Sequence, residues 1–287
     1  MSKARRSQNS IASQPSYPVV HIKQQPDKWI LSDIANQLSA KLGWSVGKTV
    51  DTHADINYFV NYHRYEETSG LSAAFFTHRE HWYGRYERMW WDVLENVDLA
   101  VFQSEKYRSE ATDRIPKLNS VVISPGFDSS KFTPKPLRIG VVGRSYGNGR
   151  KGEDLLIQVA TRFPGVDWVD TGGNWGVRSK RVRSRVLPAL YRSLDYLLIP
   201  SRTEGGPMPA IEALACGVPV ISADVGWMQE LPHIEFENGS VDSLHSVIAG
   251  LVKKRELLVD SVANRTWTEF ASLHALAFAD LARKSAL

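Results

Sequence analysis

Short apolar runs alternate with helix-like segments along the chain, and this alternation constrains the fold more than any other feature. Each run is short enough for a buried strand, and parallel strands covered by helices on both faces give this pattern. The sequence therefore predicts an α/β protein with mostly parallel sheets. The candidate strands are residues 18–22, 56–62, 73–76, 99–102, 121–123, 137–143, 167–170, 195–200 and 219–222. The longer candidate helices are residues 29–42, 82–97, 240–258 and 266–285.

The alternation breaks at residues 124–136, which contain three prolines and a glycine. Such a cluster of residues that break regular structure predicts a domain boundary. We expect a short Rossmann-like domain over residues 17–133 and a second over residues 134–265. Doubly wound sheets of this kind bind ligands at the carboxyl ends of their strands. The final helical segment, residues 266–287, could pack back on the first domain, and the polar residues 1–16 are expected to form a flexible basic tail.

The distribution of charge excludes a generally polycationic nucleic-acid coat. The chain has 35 Lys and Arg against 31 Asp and Glu, a formal net charge of +4. Lys3, Arg5 and Arg6 supply three of those charges within the acid-free tail. Elsewhere, cations concentrate in residues 178–185, which could contact an anionic acceptor, a membrane surface or nucleic acid, or could equally be a solvated surface.

Cysteine content and hydropathy limit the class of protein further. Cys216 is the only cysteine, which excludes an intramolecular disulfide framework and a Cys-rich zinc site. No apolar run approaches the ~18 to 20 residues needed to cross a bilayer, and the N-terminus lacks the apolar stretch of a signal peptide. We therefore expect a cytoplasmic protein, for which peripheral contact with a membrane is allowed.

The stretch over residues 200–226 contains the main candidate functional residues. A predicted strand ends there and is followed by a glycine-containing turn and a new helix near Pro209. The unpaired N–H groups at such a helix start favour an anion. Glu204 and Glu212 flank this point, and carboxylates beside an anion site can accept hydrogen bonds from sugar or ribose hydroxyls. The residues alone leave open that Glu204 caps the helix and that Glu212 is a solvated helix residue.

The spacing of these two glutamates, followed by Ala-Leu-Ala-Cys-Gly-Val-Pro-Val-Ile at residues 213–221, resembles a family signature. It is similar to that of retaining glycosyltransferases of the GT-B fold, most closely family 4, the glycosyl transferases group 1. Residues 124–132 resemble the inter-domain linker of that family, and residues 142–152 resemble its donor-phosphate element. The resemblance covers about residues 120–232. It implies two Rossmann-like domains that face a cleft, and the metal-independent, retaining transfer of a hexose from a UDP- or GDP-linked donor to a hydroxyl acceptor.

The resemblance also assigns roles to residues of the second domain. Arg144 and Lys151 would bind the donor diphosphate and stabilise its developing charge. Glu212 would accept hydrogen bonds from the ribose, and Glu204 from the transferred sugar. The backbone of the turn and helix start would help to hold that sugar, at Gly205, Gly206, Pro207 and Met208. No Asp-x-Asp sequence is present, so we expect no metal, and no cofactor apart from the nucleotide-sugar donor.

In the first domain, the resemblance implies an active-site role for His78, which follows a predicted strand and would face the cleft. The family's glycine-rich loop after the first strand is missing here, and Lys23 or Gln24 could replace its polar donors. The aromatic side chains of residues 81–83, Tyr86 and residues 90–91 could stack on a sugar or a base, but one stripe in this stretch has the fourfold spacing that is typical of a buried helix face. This stripe consists of Trp82, Tyr86, Trp90 and Leu94.

Two other functions remain open from the sequence. One is a nucleotide-sugar epimerase or hydrolase of the same fold, and the other is a non-catalytic module that binds a nucleotide or nucleic acid. For a transferase, the expected partners are the nucleotide-sugar donor and a carbohydrate or lipid-linked glycan acceptor, with a modified nucleic-acid base also allowed.

Overall fold

A computed structural model describes residues 17–24, 30–173, 175–177 and 184–286 of the chain. The chain divides into two compact units, the first formed by Met1–Phe132 and Ala263–Leu287 and the second by Thr133–Val262. Among the described residues, each unit contains one sheet, and every strand pairing in the two sheets is parallel. The predicted α/β class with two doubly wound parallel sheets is therefore confirmed. The predicted basic tail, residues 1–16, lies outside the described residues, and so do residues 178–183 of the basic run.

The sheet of the first unit has six strands in the order β2-β1-β3-β4-β5-β6. From β1 the chain adds β2 on one side and the remaining strands, beginning with β3, on the other. The carboxyl ends of β1 and β3 therefore form the switch point, where doubly wound sheets bind ligands. The strands are β1 (Val20–Lys23), β2 (Ser45–Gly47), β3 (Ile56–Phe59), β4 (Leu71–Phe76), β5 (Leu99–Phe102) and β6 (Ser120–Val122). The helices of this unit are α1 (Ile30–Leu42), α2 (Gly84–Asn96), α3 (Glu105–Arg114) and the last helix of the chain, Trp267–Ser285.

The helix Trp267–Ser285 packs on the sheet of the first unit. Phe270 and Phe278 are buried in the same apolar cluster as the strand residue Tyr58. His274, which is fully buried, lies with its Nε2 3.0 Å from the Tyr58 hydroxyl and its Nδ1 2.8 Å from the carbonyl oxygen of Phe270. These contacts explain why residues 267–285 belong to the same unit as the strands of the first sheet.

The second unit has a five-stranded sheet in the order β11-β10-β9-β7-β8. From β7 the chain adds β8 on one side and the later strands, beginning with β9, on the other. The switch point therefore lies at the carboxyl ends of β7 and β9. The strands are β7 (Arg138–Val141), β8 (Asp167–Asp170), β9 (Tyr196–Ile199), β10 (Val220–Ser222) and β11 (Ile234–Glu235). The helices are α4 (Glu153–Arg162), α5 (Leu187–Ser193), α6 (Met208–Ala215) and α7 (Val241–Asp260), so that the terminal helix is α8 (Trp267–Ser285).

The structure corrects the predicted aromatic stripe. The helix predicted over residues 82–97 begins at Gly84, and Trp82 precedes it with a side chain that is 69% exposed. Trp90 and Leu94 are buried as expected, but Trp91 and Val93 are buried beside them, so the core-facing residues do not follow a fourfold spacing. Trp82 is therefore free to contact a ligand.

None of the helices in the described part of the chain combines the length and the apolar character needed to span a membrane.

Candidate functional site

The candidate site lies at the switch point of the second unit, where two loops leave neighbouring strands. One loop follows β7 and runs to α4, and the other follows β9 and runs to α6. The two loops pack against each other at Gly152, whose backbone lies so near Pro200 that an added Cβ would be 1.9 Å from the Pro200 carbonyl oxygen. Gly152 also has a left-handed φ of 73°. Only glycine combines that conformation with so close an approach.

Arg202 fastens the two loops together. Its guanidinium donates to both carboxylate oxygens of Asp154, at 2.6 and 2.7 Å, and to the carbonyl oxygen of Gly149 at 2.7 Å. Its backbone N–H donates to the carbonyl oxygen of Arg150 at 2.9 Å. The hydrogen bonds from Arg202 hold the pKa of Asp154 below its usual value. This bidentate pair fixes the position of the residues between Gly149 and α4.

Glu204 is the point on which the polar side chains of the two loops converge. Its Oε1 accepts hydrogen bonds from the Lys151 ammonium and, at 2.7 Å, from the Ser201 hydroxyl. Arg150 Nη1 lies 3.7 Å from its Oε2, too far for a hydrogen bond. The side chains of Glu204 and Lys151 are only 9% and 20% exposed. The structure thus brings together two residues that the sequence assigned separately, and leaves Oε2 of Glu204 able to accept.

Glu153 shapes the loop from inside. Its Oε1 accepts hydrogen bonds from the backbone N–H groups of Tyr146, at 2.9 Å, and Gly147, at 3.2 Å. Burial alone would raise the pKa of this carboxyl, but the backbone donors hold it below its usual value. The loop is therefore built around an ionised carboxylate at its base, while the exposed cations Arg144 and Arg150 lie on its outer surface.

Arg144 lies at the tip of β7 with an exposed side chain. Among the described residues it has no hydrogen-bond or ion-pair partner. The backbone beside it is fixed, because the Trp175 indole N–H donates to the carbonyl oxygen of Gly143 at 2.9 Å. An added Cβ at Gly143 would have nothing within 4 Å, so there is open space beside this strand end. A guanidinium that has no partner among the described residues and lies next to open space is suited to bind an anion.

Glu212 stands on α6 and is positioned by a tyrosine from α5. The Tyr191 hydroxyl donates to its Oε2 at 2.6 Å, and the Tyr191 ring is buried. Burial, and then the nearby Glu212 carboxylate, raise the pKa of Tyr191, so its hydroxyl stays a donor. Glu212 itself is exposed, which leaves its other oxygen accessible.

The turn before α6 is shaped by close packing. An added Cβ at Gly206 would meet the Trp227 ring at 2.5 Å, whereas one at Gly205 would have nothing within 4 Å. Pro207 is buried at the helix N-cap, and Met208, the first residue of α6, is 56% exposed. The backbone from Gly205 to Met208 is thus open on one side and supported on the other.

His78 belongs to the first unit, just beyond β4. Its ring contacts the Thr77 hydroxyl at 3.1 Å and Glu80 at 3.5 Å, and its side chain is 48% exposed. Lys23, at the end of β1, forms an ion pair with Glu66 at 2.7 Å. The sequence proposed Lys23 as a replacement for the polar donors of the glycine-rich loop, but its ammonium is paired with Glu66. Gln24, the other proposed replacement, donates from Nε2 to the Ser32 hydroxyl at 3.2 Å.

Sequence reasoning assigned no role of their own to several residues that position the candidate ones. Ser201 and Arg150 contact Glu204 or approach it, Tyr191 holds Glu212, and Arg202 joins the loops to Asp154. Ser201 and Arg202 directly follow a buried strand, a position that could have singled them out. Nothing in the local sequence around Tyr191 indicates its partner.

Comparison with known proteins gives a family match for part of the chain. Residues 180–264 match the family model of the glycosyl transferases group 1. A D-inositol 3-phosphate glycosyltransferase from Rhodococcus erythropolis is 42% identical over 91 residues, which are 32% of this chain and 19% of that protein. The same enzyme from Mycobacteroides abscessus is 31% identical over 142 residues, with 37% of this chain and 31% of that protein covered. The resemblance to group 1 glycosyltransferases is thereby confirmed, and the match spans less than a third of these curated relatives.

Two solved structures are also similar to this chain. Sucrose-phosphate synthase from Thermosynechococcus elongatus has a TM-score of 0.37 at 16% identity, with 91% of this chain and 76% of that one covered. Anabaena HepE in complex with UDP has a TM-score of 0.37 at 15% identity, with 94% and 98% covered.

Proposed function

We propose that this protein transfers a hexose from a nucleoside diphosphate sugar, UDP- or GDP-linked, to a hydroxyl acceptor with retention of configuration and without a metal. The observation that carries the proposal is the convergence of Lys151 and Ser201 on Glu204 at the switch point of the second unit. A cation held next to an accepting carboxylate suits a ligand with a phosphate on one side and hydroxyls on the other. The match of residues 180–264 to group 1 glycosyltransferases supports the same activity.

Lys151 would bind the diphosphate without leaving Glu204. An ammonium group has three N–H donors, and the Glu204 carboxylate occupies one of them. Arg144, which has no partner among the described residues, would bind the diphosphate from the tip of β7. Together they would stabilise the charge that develops on the leaving group, the part that a metal ion plays in other enzymes.

The two glutamates would hold the hydroxyl-bearing parts of the donor. Oε2 of Glu204 would accept from a hydroxyl of the transferred sugar, and the exposed oxygen of Glu212 from the ribose. The backbone at Gly205 and Gly206, with Pro207 and Met208, would support the sugar. His78 would act near the donor sugar from the first unit.

The chemical step needs no protein nucleophile in this proposal. The bond between the anomeric carbon and the diphosphate oxygen breaks, and the acceptor oxygen forms its bond to that carbon on the same face. The acceptor proton passes to an oxygen of the leaving diphosphate. Charge stabilisation by Arg144 and Lys151 therefore serves the departure of the diphosphate.

The expected cytoplasmic location stays a prediction.

The test is release of nucleoside diphosphate from a panel of UDP- and GDP-sugars in the presence of candidate acceptors. We expect turnover with one donor class, an α-linked product from an α-linked donor by NMR, and a loss of about 100-fold or more in Glu204→Gln. Glu256→Gln, an exposed carboxylate on α7, is the control and should retain full activity. Inversion at the anomeric carbon, epimerised or merely hydrolysed donor, or full activity in Glu204→Gln would contradict the proposal.

A further inference from the structure

A single hydrogen bond between α5 and α6 sets the orientation of one carboxylate of the candidate site. The hydroxyl of Tyr191, in the last turn of α5, donates to Oε2 of Glu212 on α6 at 2.6 Å. This length is typical of a hydrogen bond from a hydroxyl to an ionised carboxylate, which is stronger than one between neutral groups. Among the described residues, no other side chain donates to the Glu212 carboxylate.

The donor of this hydrogen bond is itself held by the core. Tyr191 is 1% exposed and belongs to the apolar cluster of the second unit. Burial, and then the Glu212 carboxylate, raise the pKa of Tyr191, so its hydroxyl keeps the proton that it donates. A closely packed ring has one orientation. The Tyr191 hydroxyl is therefore a fixed point to which the Glu212 side chain is attached.

Glu212 would be free to rotate without this attachment. It is exposed on the surface of α6, where a glutamate exchanges among several rotamers. Ordering such a side chain on binding costs free energy, which reduces the affinity for a ligand. The Tyr191 hydroxyl removes this freedom before a ligand arrives. Because a carboxylate is planar, holding Oε2 also fixes the position of Oε1.

The chemistry of Oε1 indicates which part of a ligand it recognises. An ionised carboxylate oxygen has two lone pairs and no proton, so it accepts hydrogen bonds and donates none. Two neighbouring hydroxyls, such as the 2′ and 3′ hydroxyls of a ribose, supply the donors that such an oxygen can accept. A sugar that lacks one of these hydroxyls supplies one donor fewer.

We propose that Tyr191 is a positioning residue, which orients Glu212 so that the donor site selects a ribonucleoside diphosphate over analogues that lack a ribose hydroxyl. This role rests on the proposed function, in which Glu212 binds the ribose of the donor. Tyr191 acts through Glu212 and does not touch the ligand. If the hydrogen bond served only to join α5 to α6, its loss would lower stability and leave this selectivity unchanged.

The test compares the Kd of a nucleotide with those of its deoxy analogues by calorimetry on the full chain. The probes are UDP and GDP, and the 2′-deoxy and 3′-deoxy forms of whichever binds more tightly. The variants are Tyr191→Phe, which keeps the ring in the core and removes the hydroxyl, Glu212→Ala, and the two combined. Tyr196→Phe is the matched control, because Tyr196 is partly buried at the start of β9 and its hydroxyl has no hydrogen-bond partner among the described residues.

We expect the wild-type chain to bind at least one deoxy analogue about tenfold more weakly than the nucleotide itself. Tyr191→Phe should narrow this preference to about threefold or less, whereas Tyr196→Phe should keep it. Glu212→Ala should abolish the preference, and adding Tyr191→Phe should then change nothing, because the two side chains act as one unit.

Two results would overturn the positioning role while the donor site stands. One is equal binding of the nucleotide and both analogues by the wild-type chain. The other is an unchanged preference in Tyr191→Phe, even if urea unfolding shows that this variant is less stable. Failure of the wild-type chain to bind either UDP or GDP would instead overturn the donor site, and the role of Tyr191 with it.

Discussion

The close contact between Gly152 and Pro200 predicts a large effect of Gly152→Ala on the candidate site. The new Cβ would lie 1.9 Å from the carbonyl oxygen of Pro200, and real Cβ contacts stay beyond 3.0 Å. The loops must therefore separate by about 1 Å or more, in addition to about 1–2 kcal/mol for a left-handed alanine. Lys151 adjoins Gly152, so this movement would carry its ammonium away from Glu204. A displacement of this size can reduce activity by about 100-fold.

A second glycine separates the effect of the contact from the effect of the backbone. Gly217 has a φ of 74°, close to the 73° of Gly152, but an added Cβ there would have nothing within 4 Å. Gly217→Ala should therefore lose the same about 1–2 kcal/mol of unfolding free energy and keep its activity.

The assays are urea unfolding, calorimetry with UDP and GDP, and the rate of nucleoside diphosphate release. We expect the Kd of the preferred nucleotide to rise by about 10- to 100-fold in Gly152→Ala, because charge-assisted contacts to the diphosphate are lost or lengthened. In Gly217→Ala it should change by less than threefold. Equal Kd values in the two variants would refute the idea that the Gly152–Pro200 contact holds the phosphate-binding loop in place.

Three further predictions follow from other contacts. Arg144→Ala should slow sugar transfer by about 100-fold in steady-state assays while the thermal midpoint stays the same, because Arg144 has no partner among the described residues; near wild-type rates would exclude its phosphate role. Transfer should persist in excess EDTA, and a strict requirement for added Mg²⁺ or Mn²⁺ would contradict the metal-independent mechanism. Burial lowers the pKa of His274 from 6.5 to about 4, so the unfolded state binds a proton first and unfolding free energy falls as pH drops from 6.5 towards 4. The loss from this group should reach about 2 kcal/mol at pH 5 in urea titrations, and it should vanish in His274→Gln but persist in His53→Gln, an exposed control.

The sequence predicted those parts of the fold that have a strong apolar pattern. The strand Asp167–Asp170 and the helix Trp267–Ser285 match their predicted ranges almost residue for residue. The strand is a short, mostly buried run, and the buried side chains of the helix recur at helical spacing. The strand Ser45–Gly47 was missed because it lies at the edge of the sheet and is largely exposed. The helix Glu105–Arg114 was missed because Ala111 is its one buried residue, which gives no periodic signal.

The site was predictable only as far as its motifs reach. Glu204 and Glu212 were found from their spacing, but the Lys151–Glu204 pair depends on β7 and β9 being neighbours in the sheet, which no local pattern encodes. The fourfold spacing of the aromatic stripe placed Trp82 on a helix, yet the helix begins two residues later, at Gly84. The exposed ring of Trp82 followed from the helix boundary, the least certain feature of any sequence-based prediction.

The account's central claim is that Lys151 binds the diphosphate and Glu204 the transferred sugar. Calorimetry of the preferred nucleotide sugar and of its nucleoside diphosphate, with wild type, Lys151→Met and Glu204→Gln, tests it most directly. Lys151→Met should weaken both ligands by about tenfold or more, whereas Glu204→Gln should weaken only the nucleotide sugar, by a similar factor. Equal weakening of both ligands in Glu204→Gln, or unchanged binding of the nucleoside diphosphate in Lys151→Met, would contradict the account.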